Sequence, residues 1–593
     1  MRAIWRKNFR RLACISVLSP ILSGAQTAAL GPAERDHLAA AQQAEQAKNY
    51  AEAGTHYQAI LEKHPDLALI HQSLAVTYHL RNLYPQAISE FQRALHLDPS
   101  LWGSHLFLGM DYYKSNQFKQ AIPELQKSIQ LNAAMAEPEA RFWLAVSDAA
   151  LDRHEDAIRE LRRALELRPK DVDVLYYLTK EYDQAAAAAF ERLGQLEPHS
   201  AAVAILQAER FSEENRADLA RVHFRNARFL RPDFSPWIPE AANNDPPADL
   251  QMAATDAKAN LNLARLFAAA GDQERARSVV QNLKRAKGVD EKAAQILSQA
   301  DAALAPPRRP NTELAQGLDL FRAGKFQEAQ APLARVAAAD PNPALRLLLV
   351  RSYLEGQQYV RAEEILRKML ASDPANIDAL HLLGRSYKRQ AEATLKYITE
   401  IDHDSYGVHE LLGQQHEEHT EYQQAIDEYQ AALAKRPDLA GLRYAIGNVY
   451  RKMSRFDQAE HWLNEELARN PFHGLAHFRL GSIFLEQGKA VEAADHLQQA
   501  LRSHPQLTEA RMDLGRAYTT MGRYPQAVRL LQEVAAAEPN NDRVHYLLSS
   551  AYAKQGERVQ AQKELAEYQR LTRTRLQNTQ QDVKAAAESV NQP

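Results

Sequence analysis

Residues 508–541 read TEARMDLGRAYTTMGRYPQAVRLLQEVAAAEPNN. Leu514, Gly515 and Tyr518 precede Gly522, and Tyr524, Ala527 and Leu531 follow it before Pro539. A glycine at 522 permits the left-handed turn that ends a first helix. Pro539 ends a second helix and forces an extended residue before it. Small residues such as Gly515 and Ala527 suit places where two helix backbones approach. The stretch is therefore a pair of antiparallel helices, too small to bury its apolar face alone and stable only when stacked on neighbours.

The neighbours are present. Segments 440–473, 474–507, 508–541 and 542–575 align without gaps at a 34-residue period. The copy at 474–507 carries Leu480, Gly481, Phe484, Gly488, Ala493, Leu497, Ala500 and Pro505. Earlier, 68–101 carries Leu74, Ala75, Tyr78, Tyr84, Ala87, Phe91, Ala94 and Pro99, and 102–135 carries Leu108, Gly109, Tyr112, Phe118 and Ala121. Further copies cover 34–67, 138–171, 201–234, 310–343, 343–376 and 406–439. Leu-Gly, Tyr, Ala, Phe and Pro at these distances resemble the tetratricopeptide repeat, over most of the chain. The resemblance implies an all-α superhelical solenoid of about 13 to 15 antiparallel helix pairs in two arrays, working by binding other proteins rather than by catalysis. Composition leans the same way: 45% hydrophobic and 25% charged residues, rich in helix-forming Ala, Leu, Glu, Gln and Arg.

Two copies, 172–200 and 377–405, are five residues short and lack the residues for the turn between paired helices. Leu175, Leu178, Tyr182, Leu193 and Ser200 match Leu380, Leu383, Tyr387, Ile398 and Ser405 at a constant offset of 205, which suggests an ancestral duplication. Alanines 185–189 would let two shortened helices approach closely, or would run them together as one rod. Between the halves, Pro236, Pro239, Pro246 and Pro247 open a segment that Pro306, Pro307 and Pro310 close. Such clusters read as linkers. The expected organisation is an N-terminal array at 34–234, a Pro-flanked helical connector with one degenerate repeat at 235–310, a C-terminal array at 310–575, and a capping helix with a disordered tail at 576–593.

The beginning is of another kind. Arg2, Arg6, Lys7, Arg10 and Arg11 precede an apolar stretch from Leu12 to Leu22 and then Ser23, Gly24 and Ala25. This is the pattern of a secretory signal peptide over 1–25, cleaved near Ala25, and it places the mature chain in the periplasm or outside the cell. The only cysteine, Cys14, lies within it, so the mature chain would have no disulfide and no cysteine chemistry. Removing the five leader cations from 72 basic residues leaves 67 against 75 acidic ones, a balance of −8 that argues against a nucleic-acid partner.

No phosphate loop, nucleophile elbow or zinc-protease helix is present, and no cofactor is implied. His403, His409, His416 and His419 lie close in sequence, but His416 and His409 occupy packing positions of the repeat, so no metal site is assigned. The positions that the repeat leaves free on its first helices are more informative, because in similar proteins these helices line the inner surface. Tyr444, Phe478, Met512 and Tyr546 recur at 34-residue steps, with Asn448, Ser482, Arg516 and Ser550 one turn on and Arg479 beside them. Aromatic and arginine side chains make binding hot spots. Tyr444, Asn448, Phe478, Arg479, Arg516 and Tyr546 are thus the expected groove of the second array, and Leu106, Met110, Phe142 and Tyr176 a more apolar one in the first. The function that follows is an exported scaffold or adaptor of the cell envelope. The alternatives are an accessory subunit of a polysaccharide-export or outer-membrane assembly complex and, remotely, an enzyme with an unrecognised site.

Overall fold

The computed structural model describes residues 30–213, 216–231, 254–285, 309–439 and 441–590, with five further positions between 295 and 304. The leader with its cleavage site, the prolines at 236–247 and 306–307 and the last three residues lie outside the described residues. Helices follow one another with short turns: α1 (Pro32–Gln46), α2 (Tyr50–Leu61), α3 (Ala68–Leu80), α4 (Tyr84–Leu97), α5 (Trp102–Lys114), α6 (Phe118–Leu131), α7 (Ala133–Ala149) and α8 (His154–Leu167). Next come α9 (Val172–Leu196), α10 (Ala201–Glu213), α11 (Ala217–Leu230), α12 (Ala254–Ala269), α13 (Gln273–Arg285), α14 (Thr312–Arg322), α15 (Phe326–Ala339), α16 (Pro343–Glu355), α17 (Tyr359–Ser372) and α18 (Ile377–Ile401). The last are α19 (Tyr406–Glu418), α20 (Tyr422–Lys435), α21 (Leu442–Lys452), α22 (Phe456–Leu467), α23 (Gly474–Glu486), α24 (Ala490–Ser503), α25 (Thr508–Thr520), α26 (Tyr524–Ala537), α27 (Asp542–Gln555) and α28 (Arg558–Val590). The fold is an all-α solenoid of paired helices. No described helix is long and apolar enough to cross a membrane.

Among the described turns between paired helices, most use one left-handed residue. Thr420, Ser454, Gly488, Gly522 and Gly556 follow at 34-residue steps with φ of 61°, 57°, 77°, 77° and 92°. Glycine holds that conformation without the steric cost that threonine and serine bear. The two helices then touch closely: a Cβ on Gly515 would lie 2.7 Å from Leu531 Cγ, and one on Gly481 2.6 Å from Leu497 Cγ. Successive pairs are tied by a bond from a second-helix glutamine to the tyrosine hydroxyl 20 residues on. It runs from Gln58 to Tyr78 (2.8 Å), Gln92 to Tyr112 (2.8 Å), Gln498 to Tyr518 (2.9 Å) and Gln532 to Tyr552 (2.7 Å).

The two short copies are uninterrupted 25-residue helices, α9 and α18. Neither contains a left-handed residue at which the chain could fold back, so of the two arrangements open from the sequence the rod is the one adopted. The chain divides into two compact units, one of residues 1–188 with 384–408 and the other of 189–383 with 409–593. Each unit therefore draws on both halves of the chain, whereas the arrays expected from sequence follow chain order.

In the first unit, Arg162 Nε on α8 donates to the Tyr182 hydroxyl at 2.9 Å, at the same 20-residue spacing as the glutamine–tyrosine bonds that join a second helix to the next first helix. The 172–188 part of α9 thus takes a first-helix place. Its partner comes from the far part of α18: Arg162 Nη2 donates to Gln390 Oε1 at 2.7 Å, and the Tyr182 and Tyr387 rings stack at 6.1 Å. Tyr182 and Tyr387 are equivalent under the 205-residue offset, as are Asp183 and Lys388, which pair at 3.5 Å. The Tyr406 hydroxyl then donates to Asp173 at 2.6 Å.

In the second unit, Leu193, Ala201, Ala202 and Ile205 share one core with Ile377 and Leu380, and Arg192 Nη2 donates to the Pro374 carbonyl at 2.7 Å. A composite pair is again formed from α9 and α18. Arg231, 4% exposed, lies between Asp378 (2.6 Å) and Asp256 (3.7 Å), and Asp256 accepts the Ala201 N–H. A buried cation of this kind is tolerated because both carboxylates compensate it.

Candidate protein-binding surface

First helices α21, α23, α25 and α27 of the second unit carry the residues expected to recur along one stripe, but the stripe is uneven. Phe478 is 7% exposed and Met512 4%, both within core clusters. Tyr444 is half-buried and stacks on His473 with centroids 5.0 Å apart, while Tyr546 is 53% exposed beside Tyr568. Phe478 therefore belongs to the packing and offers no ring to a ligand; its contribution to the surface is the Arg479 guanidinium lying 4.9 Å over its face.

The polar members also differ. Asn448 Nδ2 donates to Glu417 (3.1 Å), which also receives the Tyr429 hydroxyl (2.9 Å) and Lys452 (2.8 Å). Ser482 donates to Asp513, and Arg543 pairs with the same carboxylate at 2.6 Å. Asn448 is thus already engaged. The Nε atoms of Arg479 and Arg451 are buried and meet no acceptor. Burial, and next the Arg479 charge, hold Arg451 below the usual arginine range. Arg516, on the following first helix, is exposed and makes no side-chain ion pair among the described residues. Of these arginines, Arg516 is the one that presents its guanidinium to solvent, while Arg451 Nη2 donates to Asn448 at 3.5 Å.

The apolar groove expected in the first array is not a surface. Leu106, Met110, Phe142 and Tyr176 are 1%, 6%, 8% and 2% exposed. Aromatic neighbours on following first helices close over two of them: Tyr177 meets Phe142 edge-on at 5.1 Å and Tyr406 meets Tyr176 at 5.5 Å. The histidines weighed together also part. His409 pairs with Glu428, His416 with Glu421, and His419 Nδ1 bonds its own helix at the Gln415 carbonyl.

A feature that sequence reasoning missed is a bridge between the two helices of a pair, always 19 residues apart. His71–Glu90, His105–Glu124, His409–Glu428 and His545–Glu564 each stand at 2.6 Å, and Arg141–Glu160 fills the same slot. The signal was available as histidine and glutamate recurring at fixed places of the 34-residue unit. A second missed feature is a cavity of about 210 Å³ in the second unit, lined by Arg231, Lys258, Arg346, Arg351, Asp373 and Asp378 among others. No signal announced it, since its walls come from four segments far apart in sequence.

Models of the tetratricopeptide repeat match residues 38–101, 108–172, 320–387, 444–508, 484–548 and 519–582, together more than half of the chain. The chain belongs to the tetratricopeptide repeat family. Among solved structures, this tetratricopeptide repeat protein is similar to MamA, with 20% identity over 29% of this chain and 94% of that one and a TM-score of 0.27. MamA 41-end from Desulfovibrio magneticus RS-1 gives 16% identity over 28% and 96%, with a TM-score of 0.28. YrrB, titled a TPR protein with an unusual peptide-binding site, gives 20% over 33% and 98%, also at 0.28. No curated protein matches the chain. The tetratricopeptide repeat is the architecture of a protein–protein interaction scaffold, not of an enzyme.

Proposed function

We propose that this tetratricopeptide repeat protein is an exported scaffold of the cell envelope that holds an acidic protein segment on the first helices of its second unit. The observation that carries the reading is Arg516, exposed and without a side-chain ion pair among the described residues, with the half-buried Arg479 on the preceding first helix. Arginine forks pair bidentately with carboxylates, which supplies both attraction and orientation. Tyr444 and Tyr546 flank them and offer ring area. Because these side chains come from successive first helices, a ligand touching all of them is extended or helical and runs across the repeats. The envelope location rests on the basic and apolar leader at 1–25.

The test is affinity capture from the envelope fraction by the wild-type protein and by Arg479→Ala/Arg516→Ala, with the mature N-terminus sequenced from the same preparation. A retained acidic partner should bind the double variant on the order of ten-fold or more weakly, in line with the loss of central arginine contacts. The melting temperature should hold and the N-terminus should fall at or near Gln26. Equal capture by the variant would refute the arginine face, and an intact Met1 in the cytosol would refute the location.

A further inference from the structure

The slot that joins the two helices of a pair is filled in three ways. His71–Glu90, His105–Glu124 and His545–Glu564 put an imidazole Nδ1 2.6 Å from a carboxylate, as does His409–Glu428. Arg141 and Glu160 put a guanidinium there at 2.5 Å. His37–His56 and His477–His496 put two imidazoles there, Nδ1 to Nδ1 at 3.0 and 2.9 Å, where a single N–H joins the rings.

Three of the histidines that meet a carboxylate also engage their other ring nitrogen. Nε2 of His71, His105 and His545 stands 3.0, 3.2 and 3.1 Å from the carbonyls of Pro65, Pro99 and Pro539, each in the turn before the first helix of its pair. An ionised carboxylate and a carbonyl both only accept, so two N–H groups are needed, and a neutral imidazole carries one. The closed bridge therefore holds one proton more than a neutral ring and an ionised carboxylate do together, whichever of the two partners carries it. Arg141 meets the same demand with a cation that is never given up. The histidine–histidine slots contain no carboxylate, and a neutral pair of rings satisfies them.

We propose that the His71–Glu90, His105–Glu124 and His545–Glu564 bridges are proton clamps: each takes up one proton as its helix pair closes, so the solenoid tightens in mildly acidic surroundings and loosens in alkaline ones. His71 and Glu90 are 5% and 8% exposed, so solvent does not replace a donor that is lost. From α4, His71 faces Glu90 and also Arg93, which pairs with the same carboxylate at 2.7 Å. The hydrogen bond to Glu90 holds the ring above the ordinary histidine range against the opposing effect of burial. From α6, His105 faces Glu124; from α28, His545 faces Glu564 and Glu567, the latter paired with Arg570 at 2.6 Å. Because the closed bridge binds its proton more tightly than the unfolded chain does, the stabilisation is complete below about pH 6.5, the ordinary histidine value, and is lost as pH rises through the folded one.

Thermal unfolding of the full-length chain is followed from about pH 5.5 to about pH 8.5, a range in which ordinary carboxylates stay ionised. His71→Arg/His105→Arg/His545→Arg copies the permanent cation of the Arg141 slot. It should melt with the wild type at the acid end and a few degrees above it at the alkaline end. Arginine is longer than histidine, so Glu90→Gln/Glu124→Gln/Glu564→Gln gives a second route. An amide can donate to a neutral ring, so this variant too should lose the part of the fall in melting temperature that the wild type shows with rising pH. His477→Gln, in a histidine–histidine slot, should leave that slope unchanged. A profile parallel to that of the wild type, in whichever triple variant folds, would overturn the proposal.

Discussion

At the scale of single residues, the repeat is governed by a few positions whose chemistry is constrained by backbone geometry. The left-handed turn position is occupied by Thr420 and Ser454 in one pair of repeats and by Gly488, Gly522 and Gly556 in the next three. A β-branched residue at φ 61° is the most strained of these. Thr420→Gly should raise stability by about 1 kcal/mol, and Gly522→Val should lower it by at least as much. Thermal unfolding of both variants measures this; opposite signs would mean that the turn does not limit stability. This much was legible in advance, because Gly522 and its 34-residue recurrence declare the turn. The surface was less so. A repeat period says which residues share a place on the helix, as Phe478 and Tyr546 do, but not how bulky the next first helix is. Phe478 lies at 7% exposure with first helix α25 after it, whereas Tyr546, at 53%, is on α27, which no further first helix follows among the described elements. Phe142 was lost to the core under Tyr177, whose approach no single-chain pattern reveals.

At the scale of elements, the decisive pieces are α9 and α18. Their shared five-residue deficit and the 205-residue offset were readable, and either two short helices or one rod satisfied them. The pairing of Tyr182 with Tyr387 was not readable, since a contact 205 residues away leaves no local periodicity. It follows physically from the missing turn: a first helix that cannot fold back leaves its partner's place empty, and the equivalent segment of the other rod fills it. Tyr387→Ala should cost about 3 to 5 kcal/mol, since the ring is fully buried. A double-mutant cycle with Tyr182→Ala should give a coupling of roughly 0.5–1.5 kcal/mol for the stacked rings. Denaturant unfolding reads both values, and strictly additive losses would show that the two tyrosines do not meet.

At the scale of the whole molecule, the composite pairs make each half of the chain depend on the other for a complete stack. A chain cut at about residue 245, within the Pro-rich segment, should give two fragments that are each incomplete at α9 or α18 and unfold at lower temperature than the intact protein. Mixed, they should reassociate and recover a transition near that of the intact chain, which calorimetry would show. Two fragments as stable apart as together would mean that the halves fold in chain order.

The functional claim concerns which side of this scaffold meets a partner. A photo-crosslinking amino acid placed at Arg516, on first helix α25, and separately at exposed Arg529, on second helix α26, tests it inside the cell. The account predicts a specific crosslinked protein from position 516 and none from 529, with the crosslink lost when Arg479 is changed to alanine. Crosslinks from 529 alone, or from both positions equally, would contradict it.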